Sequence, residues 1–513
     1  MITINQTNRE PKPFGFRFVA PLALGATLNP INSTMLAVAI VPIADSLHVG
    51  VAQAGWLIAG LYLAAAVAQP MMGRLVDLFG PRSVYLASLV FVAVAGVIGW
   101  RATSLASLVI ARVVLGIGTS GAYPSAMRLF RLEGDRLGVA PPRFAMGVLS
   151  LAGVATAAVG PVIGGILTSR FGWRSIFTVN VPLALLIAVL IVVWIPKDQG
   201  RKGSFARLAE HVDLAGIGLF TISLLSLMIF LMELTIRPLW PALLSAAIFT
   251  LILAVYSARR KQPFIDVRMV VHNLPLTVTF LRAGAVAMIV YAVFYGFAQW
   301  VQGAVGVSSA KAGLITFPLS AIAAISSVTG VRTKGLRAPF VVSAGAALAG
   351  CIFLLLIDSA TSIWLIAAAV MLFGIPQGTF STATQAAVYI QAQAEEIGTA
   401  AGLQRTAQYI GSMIATSLLA LVYGQRATDH SLHVLAIVLG VISAVLLVAT
   451  VFDPTVPTVE SSHESTSFGN NRRNPRRFVR PTHDVTGEPG SRCQSHAGHA
   501  APQTLDRHTG EKW

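Results

Sequence analysis

The chain alternates long apolar runs with short polar joints, and the runs share one length. They fall at about 18–44, 54–72, 83–100, 104–124, 146–167 and 176–195, then 214–234 and 239–257. Six more follow at about 276–302, 311–331, 339–357, 361–380, 399–423 and 431–452. A helix crossing a hydrocarbon core of about 30 Å needs roughly 20 apolar residues. The pattern therefore predicts an all-α integral membrane protein of about fourteen spans, two six-helix halves with a helix pair between them. The expected organisation is a cytoplasmic N-terminus (1–17), a first half (18–195), cytoplasmic segments with the inserted pair (196–275), a second half (276–452) and a disordered cytoplasmic tail (453–513).

Composition agrees with lipid as the solvent. Of 513 residues, 55% are hydrophobic and 11% charged, against about 25% charged in soluble domains. The formal charge of +16 would suggest nucleic acid in a soluble chain, but here its placement follows topology. With the N-terminus inside, the inner joints hold Arg74 and Arg82, Arg128 to Arg143, Lys197 to Arg207, Arg259 to Arg268 and Arg332 to Arg337. About 20 Lys or Arg fall inside and about 8 in the tail, against about 6 outside, as the positive-inside rule demands. Both termini are expected in the cytoplasm and the segment near Asp45 outside, in a bacterial inner membrane. The polar stretch Met1 to Phe16 leads into a full span containing Pro21 and Pro30, so no cleaved signal peptide is expected.

Redox and metal chemistry have little to work with. The two cysteines, Cys351 and Cys493, make neither a disulfide framework nor a zinc cluster, and the tail histidines from His463 to His508 are scattered. No nucleotide-binding Gly-x-x-x-x-Gly-Lys-Ser/Thr loop, selectivity filter or His-Glu-x-x-His motif is present. An ATP-driven pump, a channel and an enzyme are all disfavoured, and no cofactor is expected. In the tail, Arg472, Arg473, Arg476, Arg477 and Arg480 either lie solvated or touch anionic lipid.

A weak internal repeat relates Gly73 to Arg82, after the second span, to Gly330 to Arg337, after the tenth. Parallel six-span repeats would place a solute path between the halves near the midplane. The first copy, with Gly73, Asp77, Gly80 and Arg82, resembles the signature loop of the major facilitator superfamily. Its glycines permit a tight turn, and Asp77 can cap a helix or pair with an arginine of a neighbouring span. In span four, Arg112-Val-Val-Leu-Gly116-Ile-Gly118 resembles the superfamily's second motif, with Leu115 at a commonly polar position. An arginine within a span faces protein or water and is functional by default. Span five carries Gly160-Pro161-Val-Ile-Gly164-Gly165, which resembles the motif associated with exporters. Gly160 and Gly164 share a helix face that allows close backbone approach, while Pro161 bends the helix.

Gly172-Trp-Arg to Asn180-Val-Pro182 and Gln302 to Gly313 look like the fourteen-span multidrug-efflux branch, the EmrB/QacA type, over roughly residues 20 to 450. The resemblance implies the major facilitator fold and drug:proton antiport by alternating access, with a small-molecule substrate, protons and the bilayer as partners. Nothing in the sequence argues for or against a periplasmic adaptor. The branch also exports siderophores, antibiotics and other metabolites, so a dedicated exporter of one metabolite stands beside multidrug efflux, and a non-transporting solute sensor behind both. One departure concerns coupling: Asn32 stands where the branch usually has aspartate, and an amide cannot carry a proton.

Tyr291, Tyr295 and Gln302 share one face of span nine and either line a solute path or pack. Arg282 in the same span either snorkels or lines the cavity. With Arg112, Arg282 and Arg405 in or near spans and no central acid, the path is expected to favour neutral or anionic amphiphiles over dications. Glu233 is the acid that would alter this balance.

Overall fold

The computed structural model describes residues 14–138, 143–198, 213–234, 237–260, 263–330, 336–392 and 397–453, all within one compact unit. The basic segment 201–207, most of the second repeat copy, the first thirteen residues and the tail arginines Arg472 to Arg480 lie outside the described residues.

Up-and-down helices follow the apolar runs. The first half comprises α1 (Phe16–Leu47), α2 (Val51–Phe79), α3 (Pro81–Arg101), α4 (Leu105–Leu137), α5 (Arg143–Phe171) and α6 (Ser175–Trp194). The inserted pair is α7 (Leu214–Glu233) and α8 (Trp240–Arg259). The second half comprises α9 (Leu274–Gly303), α10 (Ser309–Gly330), α11 (Arg337–Leu354), α12 (Ile363–Val388), α13 (Ile397–Tyr423) and α14 (Asp429–Val451). Thirteen of these are long and apolar enough to cross a membrane among the described residues. The 29-residue helix α5 occupies the place of the fifth predicted span.

Helix starts use local acceptors: the Ser104 hydroxyl accepts from the Ser107 N–H, and Thr428 does the same for Ser431. Prolines 21, 30 and 42 lie inside α1, where an aqueous helix would break. Neighbouring helices tolerate them in a bundle of this kind. The fourth apolar run was expected to end near residue 124, but α4 continues to Leu137 as an amphipathic extension and stops at Gly138, whose φ is 66°. Hydropathy falls at Arg128 while helix propensity does not, and only the left-handed glycine ends the element.

The two halves repeat one packing scheme. In the first, Gly116 of α4 lies so close to α2 that a Cβ there would sit 2.6 Å from the Leu61 carbonyl oxygen. In the second, Gly374 and Gly378 of α12 abut the Leu319 and Ala323 carbonyls of α10. The third helix of each half packs on the sixth: α3 on α6 and α11 on α14. The bundle's outer faces are apolar and open, as at Leu185 and Val193 of α6, Leu244 and Leu251 of α8, and Val441 and Val445 of α14. Water would not tolerate so much contiguous apolar surface. Lipid does.

Candidate functional site

The bundle has two ends, one carrying the α1–α2 turn after Asp45 and the other the α2–α3 turn after Asp77. Direct contacts between the halves cluster toward the Asp45 end. There the Ala52 N–H donates to the Gly424 carbonyl at 3.2 Å, joining α2 to α13. The Ala310 N–H donates to the Ser169 hydroxyl at 3.1 Å, joining α10 to α5.

The span-five motif explains the second of these seams. Gly160 meets Thr34, and a Cβ on Gly164 would lie 2.7 Å from the Met35 Cα, so this face of α5 is pressed against α1. Gly165 meets the Ser309 carbonyl, and Gly313 of α10 meets the Pro161 carbonyl. Apart from the Thr34 side chain at Gly160, these neighbours are backbone, which cannot rotate away as a side chain can. The motif thus gives α5 two close faces, one on its own half and one on the other.

At the centre, tyrosines from α2, α9 and α13 converge. The Tyr62 and Tyr295 hydroxyls are 3.0 Å apart, and Tyr295 donates to the Ser33 carbonyl at 3.2 Å. With the Tyr295 proton committed, Tyr62 is the donor between them. Tyr291 meets the Tyr62 ring edge-on at 5.4 Å, and Tyr409 stacks on Tyr62 at 5.6 Å. Tyr409 donates to Gln69 Oε1 at 2.7 Å. Four of the chain's nine tyrosines therefore sit in one cluster spanning both halves. On the Asp77 side of the cluster, Arg405, one turn before Tyr409, is exposed, and a Cβ on Gly73 or Gly402 would meet nothing within 4 Å.

Tyr291, Tyr295 and Gln302 were expected to share one helix face, either lining a solute path or packing, and the structure brings the two tyrosines together. Gln302 is not brought to the tyrosines. It donates to the Ala298 carbonyl and accepts from the Ser309 hydroxyl at 2.9 Å, closing the α9–α10 turn. Tyr62, Gln69 and Tyr409 were missed, although Tyr62 and Gln69 are seven residues apart on one face of α2.

Behind the tyrosines lies a buried polar set. Asn32 of α1 donates to Asn180 Oδ1 at 2.6 Å and to the Leu28 carbonyl, and Asn180 of α6 returns a bond to Asn32 Oδ1 at 2.8 Å. The amide at position 32 is half of a reciprocal clasp. A carboxylate could keep only the accepting half. Arg112 is 1% exposed; its Nε donates to the Leu57 carbonyl at 3.0 Å and one Nη to the Asn32 carbonyl at 3.2 Å. Gly116, one turn on, lets α4 approach α2 closely enough for these bonds.

The signature segment is mostly helix rather than loop. Gly73 and Asp77 lie within α2, and only Gly80 makes the turn, with φ at 91°. Glycine is required by conformation at Gly80 and not by space at Gly73. Asp77 faces Arg128 of the α4 extension at 3.6 Å, so of its two expected roles the structure realises the pairing. The start of α3 is capped by Asp198, which accepts from the Arg82 and Ser83 N–H groups at 3.1 and 2.8 Å. Arg82 itself donates to the Val192 carbonyl of α6 at 2.8 Å.

Arg282 neither snorkels nor joins the tyrosines. It is buried and paired with Asp453, just past α14, at 2.5 Å. Glu233 closes α7 at the Asp45 end, beside Met232, which packs on Gly55 and Ser417. Asp213 opens α7. Burial pushes its carboxyl up, but donors from Tyr256, the Gly216 and Phe264 N–H groups and nearby Arg260 outweigh that and hold it below its ordinary range. Through Phe264 it fixes the segment whose Pro263 carbonyl accepts from Arg74 at 3.0 Å, linking the inserted pair to α2. Among the described residues no cluster of His, Cys, Asp and Glu could hold a metal.

The chain's relatives are transport proteins. A profile of the Major Facilitator Superfamily matches residues 22–416. The uncharacterized MFS-type transporter YwoD of Bacillus subtilis is 29% identical over 448 residues, covering 86% of this chain and 98% of its own length. The tetracenomycin C resistance and export protein of Streptomyces glaucescens is 29% identical, with 80% and 76% covered. The methyl viologen resistance protein SmvA of Salmonella typhimurium is 25% identical, with 76% and 79% covered. In fold, the chain resembles a D-xylose-proton symporter (TM-score 0.62, 12% identity, 87% and 98% covered) and a peptide transporter POT in complex with sulfate (0.63, 13%, 85% and 96%). Its helix order, its duplicated packing and a family match over well over half its length make one conclusion: this chain is a multi-pass membrane transporter belonging to the Major Facilitator Superfamily.

Proposed function

We propose that the protein exports amphipathic small molecules by alternating access, driven by protons, with the Asp77 end in the cytoplasm. The observation that carries the reading is the span-five seam. Gly165 and Gly313 let α5 and α10 meet backbone to backbone at the Asp45 end, while on the Asp77 side of the tyrosines Arg405 is exposed and Gly73 and Gly402 have room beside them. This is the arrangement of a carrier waiting for solute from one side. Arg74, Arg82, Arg128, Arg260 and Arg268 gather at that side, which the positive-inside rule assigns to the cytoplasm. The relatives named for resistance and export favour outward transport. The one named for a single antibiotic also favours the second reading, a dedicated exporter.

The test is flux in proteoliposomes under separately imposed pH and voltage gradients, for wild type and Gly313→Leu. Leucine at 313 should hold the seam apart and lower flux at least about tenfold, while solute binding from the Asp77 side persists. Wild-type binding without flux under either gradient would make the protein a sensor instead. An impermeant thiol reagent reaching Asp45→Cys in intact cells, with Cys351 and Cys493 both replaced, tests the orientation.

A further inference from the structure

We propose that the buried Arg112 is a seat for the oxyanion of a flat aromatic acid or phenol, so that the solute supplies a negative charge the chain itself does not place there. The inference rests on the tyrosine-lined cleft being the solute path.

Arg112 is among the largest fully buried side chains, and its second Nη has no hydrogen-bond partner. Its two bonds go to neutral backbone carbonyls, Leu57 and Asn32. None of the ion pairs among the described residues includes it. The described acids of the first half, Asp45, Asp77, Glu133, Asp135 and Asp198, all lie at or beyond helix ends. Position 32, next to Arg112, holds an amide already engaged by Asn180. A guanidinium out of water needs a compensating anion or a full set of acceptors, and this one has neither.

The surroundings say what kind of anion fits. Ser33 Oγ, on the residue after the one whose carbonyl Arg112 touches, is also buried, close to the Tyr62 and Tyr295 hydroxyls but in hydrogen-bond geometry with neither. The Tyr62 and Tyr295 hydroxyls lie within electrostatic range of the guanidinium and at present bond to each other. An arriving oxyanion would take the Tyr62 proton that now goes to Tyr295 and the Tyr295 proton that now goes to the Ser33 carbonyl, together with donors from the Ser33 hydroxyl and the free Nη. Beside it stand the ring faces of Tyr291 and Tyr409, which suit a planar ring. A dication would meet only like charge, from Arg112 and from Arg405 at the cleft mouth.

Full-length protein in nanodiscs of zwitterionic lipid, which removes competing anionic headgroups, is titrated with 3-hydroxy-2-naphthoate and with its neutral carboxamide. The acid should bind at least about tenfold more tightly than the amide, the difference a charge-assisted pair supplies. Arg112→Gln should erase that preference while leaving amide affinity within about twofold, and Arg112→Lys should restore part of it. Should Arg112→Gln fail to fold, Ser33→Ala with Tyr62→Phe should lower the acid-to-amide ratio at least about threefold. Equal affinities in wild type, no saturable binding of the acid, or parallel loss of both ligands in the variants overturns the inference. Acid bound at Arg112 but not carried in proteoliposomes leaves the seat standing and removes export instead.

Discussion

At the Asp77 end the two halves are tied by different kinds of charge. In the first half, Asp77 and Arg128 stand 3.6 Å apart with side chains 65% and 30% exposed. In the second, Arg282 and Asp453 are 2.5 Å apart and only 5% and 10% exposed. Arg282 also lies over the Phe340 ring, and Arg337 donates to the Val451 carbonyl, so the end of α14 is pinned from two sides. Water competes for the first pair and not for the second. A tie that water can replace can open and close during a transport cycle, whereas a buried one resists opening because each charge would be left unpaired. The first half thus carries a latch, and the second a clamp.

The clamp gives the largest expected effect. Asp453→Asn strands the Arg282 charge and should cost about 3–5 kcal/mol of stability, whereas Arg282→Met with Asp453→Leu should recover most of it, because two apolar groups leave nothing unpaired. Thermal unfolding in detergent checks both. A double variant as unstable as the single would show that the pair acts through its shape and not its charge.

Asp213 stands between the extremes, a buried carboxylate whose partner Arg260 is 46% exposed. Asp213→Ala should cost about 2 kcal/mol through its lost hydrogen bonds. Its folded carboxyl titrates below its ordinary range. The stabilisation is therefore complete above the unfolded value of about 4 and is lost as pH falls through the lower folded value. Protease cleavage between α8 and α9 should appear only in acid for wild type and at all pH values for Asp213→Ala. Asp198→Ala, which uncaps α3 at a half-buried position, should cost about 1 kcal/mol by the same unfolding measurement.

These ties were the least legible part of the sequence. The helices could be read because each apolar run must match one membrane thickness, and the glycines of α5 because small residues at helical spacing imply close packing. Asp453 stood at the nominal start of the tail, and nothing local connects it to Arg282, 171 residues earlier. Asp198 carries no local signal of its role, being 116 residues from the Arg82 N–H it accepts from. Asn32 read as a lost aspartate because its partner Asn180 is 148 residues away. Each is a pairing of single side chains between elements, fixed only once the halves have folded, while a periodic pattern reports only the face a helix buries. Gly73 misled in the opposite direction: its motif suggested a turn, but the turn needs positive φ at Gly80 alone.

The smallest stability effect belongs to the latch, and it separates the two ties most sharply. Asp77→Asn removes a pair that is long and exposed, so its loss should cost no more than about 1 kcal/mol. That is too little to unfold the bundle, yet enough to shift a balanced pair of conformations about fivefold. Because Asp77 is well away from the tyrosines, solute affinity measured within one conformation should not change, while flux should fall severalfold. Salt provides an independent control. At about 1 M the screening length is near 3 Å, so wild-type flux should move toward that of Asp77→Asn, which should itself be nearly insensitive to salt. The Arg282–Asp453 clamp, shielded from ions, should give no such convergence. If salt left wild type unchanged, or if Asp77→Asn weakened binding as much as flux, the Asp77–Arg128 pair would not be the releasable tie, and the contrast between the halves would lose its functional meaning.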